Sequence, residues 1–80
     1  MMMAEHNNID FSEFVVEIKA ENTIPDKHYV AMIDGNPWYL QRLSYSWGID
    51  EFGKCEFRVL NRKYNAFISL NHSFGVLAKK

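Results

Sequence analysis

Few residues in this chain could carry chemistry: three histidines, one cysteine and one pair of adjacent carboxylates. His6, His28 and His72 lack the spacing of metal ligands, and Cys55 has no second cysteine to complete a metal site. Cys55 alternates with apolar residues, which favours a small buried hydrophobe over a nucleophile. Asp50–Glu51 lie in a glycine-bounded loop, and nothing in the pattern separates them into an acid and a base. We therefore expect no catalytic residue, no metal and no cofactor.

A second possible chemistry is nucleic-acid binding, because bases and aromatic rings alternate in the second half of the chain. The bases are Arg42, Lys54, Arg58, Arg62 and Lys63, and the rings are Trp47, Phe57, Tyr64 and Phe67. Such mixtures bind single strands through phosphate contacts and base stacking. The isoelectric point of ≈ 6.3 is low for such a domain. The other interpretation is a hydrophilic loop beside rings of the core.

The length of 80 residues predicts one domain, 1–80. Aromatic side chains make up 15% of the chain, which could supply a core, a binding surface or both. The net charge of -1 conceals a split. Residues 1–40 hold seven acidic and two basic side chains, and residues 41–80 hold three and seven. Either a partner of one charge sign or acidic strands lying against basic ones would explain the split.

The first residues lack the charged start and apolar stretch of a secretion signal. No run of about 18 apolar residues occurs, so we expect no membrane association. A single cysteine suits a reducing compartment. We therefore expect a cytoplasmic protein whose residues 1–8 are frayed.

Turn residues divide the chain into elements. Segment 9–21 has apolar residues both at helical spacing and in strand alternation, and its β-rich run favours a strand over residues 14–20. Asp34–Gly35, between His28–Ile33 and Trp38–Trp47, predicts a β-hairpin, because these residues tolerate positive φ.

The second half of the chain predicts one more strand and a helix. Lys54–Leu60 alternates, which places Cys55 and its apolar neighbours toward the core. Ser69 is a suitable helix N-cap, and a stripe of apolar residues follows it at Leu70, Phe74 and Leu77. The alternative is a hairpin through residues 71–73. The expected fold class is α+β: an antiparallel sheet of about four strands with a short C-terminal helix on one face, and segment 9–21 as strand or helix.

The predicted strand 38–47 carries large apolar groups on both faces. Tyr39, Leu43, Tyr45 and Trp47 would point one way, and Trp38, Leu40 and Arg42 the other. A sheet covered on one face alternates between apolar and polar residues. Two explanations are therefore possible. In the first, both faces are covered within the chain, which requires a helix at 9–21. In the second, one face carries an aromatic patch that contacts a partner or a second copy of the chain.

Four segments of the chain resemble small phage-encoded accessory proteins: Tyr29–Gly35, Trp38–Leu40, Ala66–Leu70 and Ala78–Lys80. Such proteins have a hairpin of the pattern I-D-G-x-x-W-Y-L and a last strand that is capped into a short helix. The resemblance covers about half of the chain and involves structural rather than catalytic motifs. It implies a protein that binds and blocks a host defence factor (anti-CRISPR activity would be one form) or a replication factor, and it carries over no functional residues.

The expected function is therefore a non-enzymatic protein that binds a protein partner, with a homodimer as a further possibility. An aromatic patch would anchor the partner and charged residues would orient it. The candidate residues are Trp38, Tyr39, Arg42, Tyr45, Trp47, Arg58 and Arg62. The alternative is a single-stranded nucleic-acid-binding module that uses the basic half.

Overall fold

The computed structural model describes residues 9–44, 53–63 and 66–80. More than half of them belong to one antiparallel sheet of six strands. The strands are β1 Phe14–Lys19, β2 His28–Ile33, β3 Asn36–Arg42, β4 Lys54–Val59, β5 Ala66–Asn71 and β6 Gly75–Lys79. Two 3-10 helices, Phe11–Glu13 and Ala20–Asn22, flank β1. In this part of the chain, no helix is long and apolar enough to cross a membrane.

The strand order is β1-β6-β2-β3-β4-β5. β2 to β5 form a meander, and β6 returns to lie between β1 and β2. The turn from β5 to β6 therefore joins strands from opposite halves of the sheet. His72 N donates to Gly53 O at 2.7 Å, and Ala20 N donates to Phe74 O at 2.8 Å. These bonds hold the end of β1 beside β4 and β5, so the sheet curls around its inner face.

The inner face of this curled sheet holds the core. Phe57, Leu40 and Val76 are the largest fully buried side chains. They alternate with outward residues along their strands, as the pleat requires. The predicted inward set of β4 is confirmed, since Cys55 and Val59 are also buried.

The β2–β3 hairpin is confirmed. Asp34 and Gly35 have φ values of 54° and 80°, and His28–Ile33 pairs residue by residue with 36–41. Positive φ at both central residues matches the twist of the flanking strands. The third strand begins at Asn36 rather than Trp38 and ends at Arg42. Leu43 and Ser44 are no longer part of the strand. Residues 45–52, which include the last three residues of the predicted strand, lie outside the described residues, as do residues 1–8.

The expected α+β class is wrong, because the C-terminal residues form strands and not a helix. Ser69 does not cap a helix, and its hydroxyl donates to Glu56 Oε2 at 2.7 Å across the β4–β5 ladder. Leu70 and Val76 both reach the core, which no single helical face would allow from their spacing. The alternative hairpin is also incorrect: a turn lies at 72–73, but β5 pairs with β4 and β6 pairs with β1 and β2.

Segment 9–21 is mainly a strand, as its β-rich composition predicts, although the strand ends at Lys19. The pairing register shifts between Phe14 and Val16, which marks a bulge at Val15. Asp10 precedes the strand and accepts a hydrogen bond from Ser12 N at 3.1 Å. This bond begins the 3-10 helix that brings Phe11 toward the outer face of the sheet.

Candidate functional site

Trp38 and Tyr39 lie on opposite faces of β3, as the sequence predicts. Trp38 packs against the inner core and Tyr39 faces outward, and both are half-buried. The remaining predicted anchors of this strand, Tyr45 and Trp47, lie outside the described residues. The described chain thus covers each of the two rings only in part.

Tyr39 is the centre of an aromatic cluster on the outer face. Phe11, Phe14 and His28 meet its ring edge-on, with centroid distances of 6.4, 5.8 and 5.1 Å. Val30 lies opposite Tyr39 in the ladder and is only 2% exposed. An antiparallel pair shares one face, so the rings bury an apolar residue outside the main core. The chain therefore covers this part of the sheet with its own 3-10 segment. The explanation that covers both faces of the predicted strand 38–47 within the chain requires a helix at 9–21, and that helix is absent.

Two ionic contacts hold this segment in place. The Lys79 ammonium lies 3.4 Å from Glu13 Oε1 and 5.8 Å from the centroid of the Phe14 ring. Hydrogen bonds from Ser12 lower the pKa of Asp10. The charged groups of Asp10, Glu13 and Lys79 are exposed, so they orient the segment and stabilise it weakly.

Arg62 stacks on Trp38, with its guanidinium carbon 4.0 Å from the ring centroid. Asn61 makes this possible after β4 ends. Its side chain accepts from Tyr39 N at 2.9 Å and donates to Pro37 O at 3.1 Å, so it continues the ladder along β3. Arg62 is thereby fixed beside Trp38, and its Nη1 also donates to Asn61 O at 3.1 Å.

Arg58 forms a second stack on the outer face, 5.3 Å from the centroid of the Phe67 ring. The two residues are directly opposite in the β4–β5 ladder. Phe67 is 40% exposed, so the stack is open to solvent. Arg58 and Arg62 are four residues apart, which limits their Cα separation to about 14 Å.

Arg42 serves the fold instead. Its Nη1 donates to Thr23 O at 2.8 Å and to Thr23 Oγ1 at 3.0 Å, while its Nε is buried without a partner. Thr23 is itself buried and its hydroxyl donates to Ala20 O at 2.6 Å. The guanidinium therefore ties segment 20–23 to the end of β3, and it is committed within the chain.

The acidic and basic halves of the sequence contribute to different parts of the sheet. The acidic first half supplies β1 and the edge beside it, whereas most of the bases lie on β3, β4 and the loop after β4. The acidic β1 lies against β6, whose Lys79 pairs with Glu13, whereas the basic β4 is flanked by β3 and β5.

Within the described residues, neither Arg58 nor Arg62 has a carboxylate partner. The Arg58 guanidinium contacts the Phe67 ring instead. The Arg62 guanidinium contacts the Trp38 ring and the backbone carbonyl of Asn61.

Of the residues considered for catalysis, the structure describes Cys55 but not the Asp50–Glu51 pair. Cys55 is buried, and its thiol points to Ala20 O at 3.5 Å. Asp50–Glu51 and His6 lie outside the described residues. Among residues 9–44, 53–63 and 66–80, no three His, Cys, Asp or Glu side chains form a group that could hold a metal ion.

Sequence reasoning missed three contributors to this surface: Phe11, Asn61 and the pairing of His28 with Tyr39. A hydrogen bond of 2.9 Å joins His28 Nδ1 to Tyr39 Oη. Burial and then the Lys79 ammonium lower the pKa of His28. A sequence signal existed only for Asn61, since asparagine after a strand often replaces backbone hydrogen bonds with its amide.

Comparisons with known proteins place no relative beside this chain: no family model, no curated protein and no solved structure matches it.

Proposed function

We propose that this protein acts without catalysis, by binding an acidic surface of a protein partner through two arginine–aromatic stacks. The stacks are Arg62 on Trp38 and Arg58 on Phe67, and we refer to them as the paired stacks. The observation that carries the proposal is that both guanidinium groups are pre-oriented by rings and lack a carboxylate within the described chain.

Stacking occupies the face of each guanidinium and leaves the hydrogen-bond donors at its edge for a partner, apart from the Arg62 Nη1 donor that bonds to Asn61 O. Arginine presents these donors in a planar fork that matches a carboxylate. The rings already restrict both side chains, so less rotamer entropy is lost when a partner binds. Arginine and tryptophan are also among the residues that most often dominate binding energy.

Trp38 packs against the inner core whereas Arg58 and Phe67 face outward, so the two stacks lie on opposite faces of the sheet. One partner contacts both of them by binding around the end of β4. A standard interface covers about 800 Å² on each protein, which is roughly 30 Å across. The two arginines lie within about 14 Å of each other at Cα. The resemblance to phage accessory proteins extends the proposal: the partner would be a host defence or replication protein, the site of action the host cytoplasm, and the mechanism steric blocking.

A double variant, Arg58→Gln with Arg62→Gln, tests the proposal. Both changes keep a polar side chain and leave Trp38 in place, whereas Trp38→Ala would also remove packing against the core. Affinity capture from host lysate identifies the partner, and calorimetry then measures its Kd. We expect the double variant to bind at least 30-fold more weakly, as for a hot spot of about 2 kcal/mol.

The matched control is Lys19→Gln with Lys54→Gln, which removes the same charge from exposed positions outside the paired stacks. We expect it to change the Kd less than threefold, since exposed charges contribute little. Equal effects of the two double variants would refute a specific role of the paired stacks.

Single-stranded nucleic acid is the competing partner class, and the same protein tests it. A labelled 20-nucleotide oligothymidylate is titrated at 50 and 200 mM salt. If phosphate contacts carried the function, binding would be measurable and would fall steeply with salt. That result, together with its loss in the Arg58→Gln, Arg62→Gln variant, would replace the protein partner with nucleic acid.

A further inference from the structure

β2 and β6 are neighbours, but they pair at one position only, Val30 with Leu77. β2 and β3, by contrast, pair along the whole hairpin. The last residues of β6 therefore diverge from the first residues of β2. A cleft of ≈ 600 Å³ opens in this gap. Its size falls in the range of small-molecule sites.

The floor of the cleft is apolar because the gap reaches the inner layer. Ile18, Tyr29 and Ala78 line it. Ile18 and Ala78 pack against the core, and Tyr29 is 4% exposed. The Tyr29 hydroxyl accepts a hydrogen bond from Ile24 N at 2.8 Å, which fixes the ring. The floor can therefore hold an apolar group without rearranging.

The rim of the cleft is cationic. Lys27, Lys79 and Lys80 line it together with one carboxylate, Asp26. Lys79 is paired with Glu13, whereas Lys27 and Lys80 have no ion pair among the described residues. Two ammonium groups thus remain without a fixed counter-charge at the mouth of an apolar cavity.

His28 and Tyr39 form a further part of the wall, joined by their 2.9 Å hydrogen bond. The groups that face His28 are Tyr39 from β3, Lys79 from β6, and Lys27 and Asp26 from its own segment. Burial and Lys79 lower the pKa of His28, which favours the neutral ring. A negative charge in the cleft would act in the opposite direction.

We infer that this cleft binds a small organic oxyanion, with an apolar body on the Ile18–Tyr29–Ala78 floor and its charged group among the ammonium groups of the rim. The site is separate from the paired stacks and does not depend on them. Apolar enclosure supplies affinity and the rim selects the charge, which is the usual division of roles in small-molecule sites.

The test uses two probes of the same shape, naphthalene-2-carboxylate and the neutral naphthalene-2-methanol. Each is titrated into the ¹⁵N-labelled full chain, and amide shifts report the site and the Kd. We expect naphthalene-2-carboxylate to shift the amides of His28, Tyr29 and Ala78, and to bind at least fivefold more tightly than the alcohol. Lys27→Gln with Lys80→Gln should weaken the carboxylate at least fivefold and leave the alcohol unchanged. Lys19→Gln, outside the cleft, should change neither.

The imidazole of His28 provides a second readout. Saturation with naphthalene-2-carboxylate should raise its pKa, and saturation with the alcohol should not, because only the anion stabilises the protonated ring. Equal affinity for the two probes, shifts confined to other surfaces, or no binding at millimolar concentration would each overturn the inference.

Discussion

Arg42 gives the sharpest test of the division between folding and binding residues. The structure uses its guanidinium to hold Thr23, whereas the sequence suggests a contact for a partner. Replacing Arg42 with Met keeps the length of the side chain and removes both hydrogen bonds. Each bond from a charged donor stabilises by about 1.5–3 kcal/mol, and relief of the buried, unpartnered Nε returns about 1–3 kcal/mol. With central values of about 4.5 kcal/mol for the two bonds and about 2 kcal/mol for the relief, the net expectation is a loss of about 2.5 kcal/mol.

A double-mutant cycle with Thr23→Val separates the two bonds. The valine removes Oγ1 but leaves the backbone carbonyl of Thr23, so one of the two Arg42 contacts survives. The coupling between the variants should therefore be about 1.5–3 kcal/mol, the value of a single hydrogen bond from a charged donor. Urea unfolding followed by fluorescence measures all four proteins.

Arg58→Met is the control for Arg42→Met, since it makes the same change on the neighbouring strand. Its loss should be about 0.5–1 kcal/mol, the value of an exposed cation–π contact. If Arg42→Met leaves the urea midpoint unchanged while weakening partner binding, the structural role assigned to Arg42 is refuted.

Three further predictions concern the hairpin, the end of β4 and the outer face. Gly35→Ala should lower the free energy of unfolding by about 1–2 kcal/mol, because φ is 80° and the space around the site is open, so the effect is backbone strain alone; an unchanged thermal midpoint would contradict this. Asn61→Ala should cost about 1–2 kcal/mol and speed hydrogen exchange at the Tyr39 amide, which loses its acceptor; unaltered exchange there would show that the ladder does not need the side chain. The lowered pKa of His28 means that the unfolded chain binds more protons in the window from about 6.5 down to the folded value, so stability should fall as the pH drops through that window and level off below it. His28→Gln should flatten this part of the pH–stability curve, and a slope that persists in the variant would assign it to another group.

The features that could be predicted from the sequence are those with a local cause. Asp34–Gly35 specifies the β2–β3 hairpin because only a few residues tolerate positive φ in succession. The alternation around Cys55 specifies the inward face of β4 for a similar reason, since side chains on a strand repeat every two residues. The opposite orientations of Trp38 and Tyr39 follow from the same rule.

The candidate site was predicted less completely. Arg58 and Arg62 are in the predicted set and do stack on aromatic rings, but those rings are Phe67 and Trp38, which the sequence does not pair with them. The role of Arg42 could not be predicted, because Thr23 comes close to it only when the end of β1 folds over the sheet. The aromatic cover of Tyr39 likewise depends on where the segment before β1 is held.

The last fifteen residues show most clearly what local sequence leaves open. The apolar stripe of Leu70, Phe74 and Leu77 suits a helix, although Gly75 in its middle argues against one. Long-range pairing decides their conformation instead. β6 lies between β1 and β2, and its backbone hydrogen-bonds to these strands, which are far away along the chain. Such hydrogen bonds join backbone groups that nearly every residue possesses, so no local sequence pattern predicts which strands will pair. The divergence of β2 and β6, which opens the cleft, also has no local sequence pattern that predicts it. Turn chemistry and alternation are therefore properties of the sequence, whereas the order of the strands, and with it both proposed binding sites, is a property of the tertiary structure.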